Sequence, residues 1–185
     1  MPYVSAIAFI ALITLVVISA ITDIREGLVY NRVTYSAIVL GFMFWAIAGW
    51  MDYGTGLKAA TLGFSAGLLP YALMFFLGGL GGGDVKLMAA VGTISASWQC
   101  VLSTTVYALI IAMLFCIFVM FRKKIIWQTL SKILVAFLSV RAGTKHRFEN
   151  AGAQIPFAAA VAVGATLAGA EQLLGLTTPW SWLNP

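Results

Sequence analysis

The chain has 185 residues, of which 62% are hydrophobic and only 9% charged, with a net charge of +5. Soluble domains carry about 25% charged residues, so these charges cannot coat a water-exposed surface. The composition excludes a soluble globular protein, a disordered chain and, despite the positive balance, a nucleic-acid binder. The mean hydropathy of +0.99 and room for roughly five to seven spans of ~20 residues point to an all-α, polytopic membrane protein.

Charge-free runs place the spans in chain order. Residues 3–22 form the first, too long and too poorly preceded by basic residues for a cleavable signal. Residues 33–51 form the second, with Trp45 and Trp50 expected near one interface. The third covers 57–77 and holds Gly63-Phe64-Ser65-Ala66-Gly67, a GxxxG pattern that lets helices approach closely. The uncharged stretch 87–121 would be ~52 Å long as one helix, well beyond a ~30 Å hydrocarbon core. Ser95-Ala96-Ser97-Trp98-Gln99 offers the break, giving a short span over 85–94 and a full one over 100–121. The short one is tolerated only if protein surrounds it. Residues 122–149 are the most basic part of the chain, with Ile126, Leu130, Ile133, Leu134 and Phe137 at helical spacing. They read as an amphipathic helix on the anionic lipid of the cytoplasmic leaflet. The last span covers 155–174. The expectation is about six transmembrane helices plus that amphipathic helix, forming one membrane-embedded domain over 1–185.

With the loop after the first span in the cytoplasm, all but Lys58 of the 11 Lys and Arg residues fall on the cytoplasmic side, as the positive-inside rule requires. Both termini then lie outside. Cys100 and Cys116 are ~24 Å apart on one helix, beyond disulfide reach, and read as small apolar packing residues. His146 stands without a second histidine. No zinc or haem ligand set is present in the sequence, so no cofactor is expected.

The same orientation sorts the acids. Asp52 and Glu171 fall at the outer face, whereas Asp23 ends the first span and Asp84 opens the fourth, both at the cytoplasmic edge. Carboxylates at membrane depth are costly and mark function by default. Asp84 has a plain alternative as a helix cap; Asp23, at a helix C-terminus, opposes the helix dipole and is poorly explained by capping. Five glycines among Gly78-Gly79-Leu80-Gly81-Gly82-Gly83 precede Asp84. They fit neither a dinucleotide-binding fingerprint nor a P-loop. What remains is a G-x-G-D pattern, a small-residue cleft beside an acid that suits an extended peptide.

Three stretches now carry a family resemblance: Asp23-Ile24-Arg25 with Val29-Tyr30-Asn31, Gly81-Gly82-Gly83-Asp84-Val85-Lys86, and Ile155-Pro156-Phe157-Ala158. The chain resembles the type IV prepilin peptidases, of the GxGD class of membrane aspartyl proteases. Two departures stand out. Tyr30 occupies the place of a proline common in the family, and the chain holds no CxxC-bearing methyltransferase domain, so pilin N-methylation is not implied. The short form is similar to the enzymes of Flp/Tad-type pilus systems.

The resemblance implies an aspartic endopeptidase of the bacterial inner membrane that removes a short basic leader from prepilins at the cytoplasmic face. The substrate is a basic leader followed by an apolar helix. Asp23 and Asp84 are the implied catalytic pair. Gly81, Gly82, Gly83, Arg25, Asn31, Lys86 and Pro156 are the candidates for the substrate path, with Lys86 read chiefly as a snorkelling anchor and Pro156 as shaping the start of the last helix. Two close carboxyls share one proton. Helix-end reasoning alone puts the charge on Asp84, at a helix N-terminus, and the proton on Asp23. A proton-coupled transporter is the rival reading, but its site belongs near the midplane of broken, repeated helices, and these acids share one face without an internal repeat. A non-catalytic scaffold of a pilus or secretion machine is the other rival. It predicts that either aspartate is dispensable.

Overall fold

The computed structural model describes residues 2–51, 56–123 and 157–176. Six helices occupy them: α1 Pro2–Glu26, α2 Asn31–Trp50, α3 Gly56–Phe76, α4 Gly82–Ser95, α5 Trp98–Lys123 and α6 Phe157–Leu174. Among the described residues, five are long and apolar enough to cross a membrane; the sixth, α4, is not one of them. The polytopic all-α architecture is as the sequence predicts, and the long uncharged stretch breaks where expected, with α4 ending at Ser95 and α5 starting at Trp98. Beyond Lys123, the expected amphipathic segment lies outside the described residues, as do Asp52 and Glu149.

The chain divides into two compact units, residues 1–111 with 156–185, and residues 112–155. Of the second, only the helical stretch up to Lys123 is described.

In the first unit α4 is the centre. Its 14 residues span ~21 Å, too little to cross a bilayer, and Leu87, Met88, Ala89, Ala90 and Val91 are each at most 1% exposed. It packs on α1, α2, α3 and α6, so protein surrounds the short helix, as backbone satisfaction inside lipid demands. The closest seam is with α3. A Cβ at Gly63 would strike the carbonyl of Gly92, and one at Gly67 the carbonyl of Met88. The GxxxG pattern is therefore the face on which α3 meets α4.

The buried C-terminal end of α4 leaves carbonyls with no helical partner, and two side chains answer them. Trp45 Nε1 donates to the Ile94 carbonyl (2.9 Å) and Gln172 Nε2 to that of Ser95 (3.1 Å). Ala96 turns the chain in the left-handed region at φ 46°. Trp45 thus corrects the sequence reading: it is 5% exposed and inside the bundle, whereas Trp50 is 88% exposed, as an interfacial residue would be. Glu171, near the end of α6 and so away from Asp23, is half-buried and accepts a hydrogen bond from the Tyr107 hydroxyl. α6 lies along α1 through small residues, with Gly169 against Phe9 and Leu12.

Candidate active site

The C-terminus of α1 and the N-termini of α2, α4 and α6 meet at one end of the unit, and the sequence explains each stop and start there. Gly27, at φ 65°, ends α1 in the left-handed conformation, and its N–H bonds the carbonyl of Asp23 (2.9 Å). Such a glycine is the common terminator of a helix, and it leaves Asp23 in the last turn. Gly78, at φ 77°, does the same for α3. Gly81 is then the N-cap of α4, which puts Asp84 in its first turn.

Asp23 is held from far along the chain. Its Oδ2 accepts the backbone N–H of Ala158, in the first turn of α6, at 2.9 Å. The opening N–H groups of a helix have no partner of their own, so the carboxylate and the helix end satisfy each other. Pro156 lies outside the described residues; α6 begins one residue after it.

Asp84 makes no conventional side-chain cap. The N-cap is Gly81, and Asp84 lies in the first turn, three residues on. Asp84 stands just ahead of the apolar run that opens at Val85. Burial, and then the charge of Asp23, push its carboxyl up to about 6, while the Gly81 N–H pulls it the other way. The expectation from helix ends, that the dipole keeps Asp84 ionised, is thus opposed by its surroundings. The dipole of α4 is outweighed by desolvation and by a like charge.

The other candidate residues divide. Lys86 is a tether more than a snorkelling anchor: its Nζ donates to Asn31 Oδ1 at 2.8 Å and stands 5.2 Å from the centre of the Tyr35 ring. Asn31, expected on the substrate path, is thus engaged in joining the start of α2 to that of α4. Arg25 is exposed. The glycines are not one open cleft. A Cβ at Gly83 would stand 3.1 Å from Cβ of Val29, so Gly83 lets the loop after α1 press against α4. Only Gly81 borders the acid, a Cβ there lying 3.1 Å from Asp84 Oδ2. In the same loop, the Tyr30 hydroxyl donates to the Glu26 carboxylate, a link that a proline in that place could not make.

Nothing in the sequence marks the Ala158 amide as a partner of Asp23, although Pro156 marks a helix start and hence unpaired N–H groups nearby. Tyr35 is equally silent, because ring contacts across helices leave no local pattern.

With two mutually acting carboxyls at one end of a helical bundle, comparison with known families decides the kinship. The model of the type IV leader peptidase family matches residues 10–121. The chain belongs to the type IV leader peptidase family. The match takes in most of α1, all of α2 to α4 and most of α5, including both aspartates. As a member, the chain is a multi-pass membrane protein of a protease family. No curated protein and no solved structure matches it.

Proposed function

We propose that the protein is an aspartic endopeptidase in which Asp23 and Asp84 share one proton and remove the short basic leader of Flp-like prepilins at the cytoplasmic face of the inner membrane. The observation that supports this reading is the placement of two carboxyls at one end of the unit, Asp23 in the last turn of α1 and Asp84 in the first turn of α4, near enough for the charge of Asp23 to raise the Asp84 carboxyl. A water set between them loses a proton to the ionised Asp23 as its oxygen attacks the scissile carbonyl carbon. Asp84 hydrogen-bonds the carbonyl oxygen and gives it its proton as charge develops. When the tetrahedral intermediate collapses, the C–N bond breaks, Asp23 passes its proton to the departing amine, and Asp84 recovers its own. The Ala158 N–H keeps Asp23 in place through the cycle, and the Lys86–Asn31 link fixes α4 against α2. The excess of basic residues on the loops at this end supports its cytoplasmic placement.

The test is leader removal, followed by gel shift, with purified protein and an expressed prepilin. Asp23→Ala, Asp84→Ala and Asp84→Asn should each abolish cleavage while the protein still accumulates in the membrane. Cleavage by Asp84→Asn at near wild-type rate would leave Asp84 as a capping residue and end the dyad reading.

A further inference from the structure

α1 and α2 diverge over α4 and leave between them an apolar groove of about 580 Å³. Its floor is built of small or buried residues, among them Ala8, Leu15, Gly41 and Trp45, and Ile94 of α4 contributes to it. Exposed, flexible side chains such as Ile7, Leu40 and Met43 stand at the rim. Two hydroxyls line it, and both are already bonded within their own helices: Thr14 to the Ile10 carbonyl (2.8 Å) and Ser36 to that of Val33 (3.0 Å). The groove therefore asks nothing polar of its occupant.

Its position is the informative part. From Ile47 to Val33 it runs ~21 Å along α2, and its near end, at Ile18 and Val33, lies toward the end of the unit that holds the acids. The three helices that build it are the three that carry Asp23, Asn31 and Asp84. Ala8, Ala11, Ala37 and Gly41 among the lining residues leave room between the larger ones, and small residues let a further helix approach closely.

We propose that this groove seats the apolar helix that follows the cleavage site of the substrate, so that the peptide bond at the helix's start is delivered to Asp23 and Asp84. The proposal rests on the peptidase reading above. Helix recognition and peptide cleavage are thereby built from the same helices, and the leader itself needs to supply little binding.

Two substrates separate the groove from the chemistry: a full prepilin, and a soluble peptide that carries the leader and cleavage site but stops before the apolar helix. Ala11→Phe with Ala37→Phe fills the groove without touching the acids. Its kcat/KM on the full prepilin should fall by roughly tenfold or more, the equivalent of losing one well-buried aliphatic contact. On the soluble peptide it should match the wild type. Leu62→Phe, on the exposed side of α3, should leave both unchanged. A photocrosslinker placed at Leu40 of the Asp84→Asn protein should capture the prepilin helix, and one at Leu62 should not. Wild-type rates on full prepilin for the groove variant, or crosslinks from Leu40 to lipid alone, would overturn the proposal. So would equal losses on the two substrates. A wild-type protein that cleaves neither substrate would instead refute the peptidase reading, and the groove proposal with it.

Discussion

Gly67→Ala tests whether α3 sets the position of Asp84. A methyl on Gly67 would lie 2.7 Å from the carbonyl carbon of Met88 and 3.1 Å from Cα of Ala89. The Met88 carbonyl oxygen would be nearer still, at 2.2 Å; a carbon meets such an oxygen comfortably from about 3.3 Å, so α4 must back away from α3 by about 1 Å. These obstacles are all backbone, which no rotamer change can relieve. Met88 is one helical turn from Asp84, so the displacement reaches the carboxyl, while Asp23 stays tied to α6. A misplacement of 1 Å at a reacting group can cost on the order of 100-fold in rate, and overpacking costs about 1–3 kcal/mol in stability. Gly67→Ala should therefore accumulate in the membrane, unfold at lower temperature, and cleave prepilin tens of times more slowly with little change in KM. Leu69→Ala, on the exposed side of α3, should do none of this. Near wild-type cleavage by Gly67→Ala would refute the idea that the α3–α4 seam holds Asp84 in register.

The acid end makes a prediction about pH. The proposed mechanism needs a proton on Asp84, whose carboxyl is pushed up to about 6, so kcat/KM should start to fall as pH rises through that value, by about tenfold per further unit; a profile flat to pH 8 would contradict the assignment. At the other end of α4, Trp45→Phe removes the donor to the Ile94 carbonyl. It should lower thermal stability in detergent by about 1–3 kcal/mol, the cost of a buried acceptor left unpaired, and an unchanged unfolding midpoint would show that water or another donor replaces the indole.

The spans were readable because a bilayer punishes charge and unpaired backbone so severely that sequence has little freedom. The break after Ser95 and the close seam at Gly63 and Gly67 belong to this class, since each is dictated by length or by the size of one residue. Position and family resemblance single out Asp23 and Asp84, and the structure brings both to one end of the unit. The upward push on the Asp84 carboxyl is not legible in the sequence. Helix ends are local, whereas the decisive influences, burial of Asp84 and the field of Asp23, arise only when α1 and α4 are brought together. Trp45 misled for a related reason: an indole suits an interface and suits a buried carbonyl equally well, and only the foreshortened α4 makes that carbonyl available. The bond from Ala158 to Asp23 joins residues 135 positions apart, a separation over which no pattern in a single sequence carries information.

That last bond also bears on when the protein becomes competent. Asp23 leaves the ribosome 135 residues before the amide that anchors it. At about 5–20 residues per second, the carboxylate waits on the order of ten seconds for its partner. During that interval the five described helices before α6 can already be in the membrane, yet Asp23 is not held. On the peptidase reading proposed above, insertion of α6 is thus the step that fixes the pair of acids.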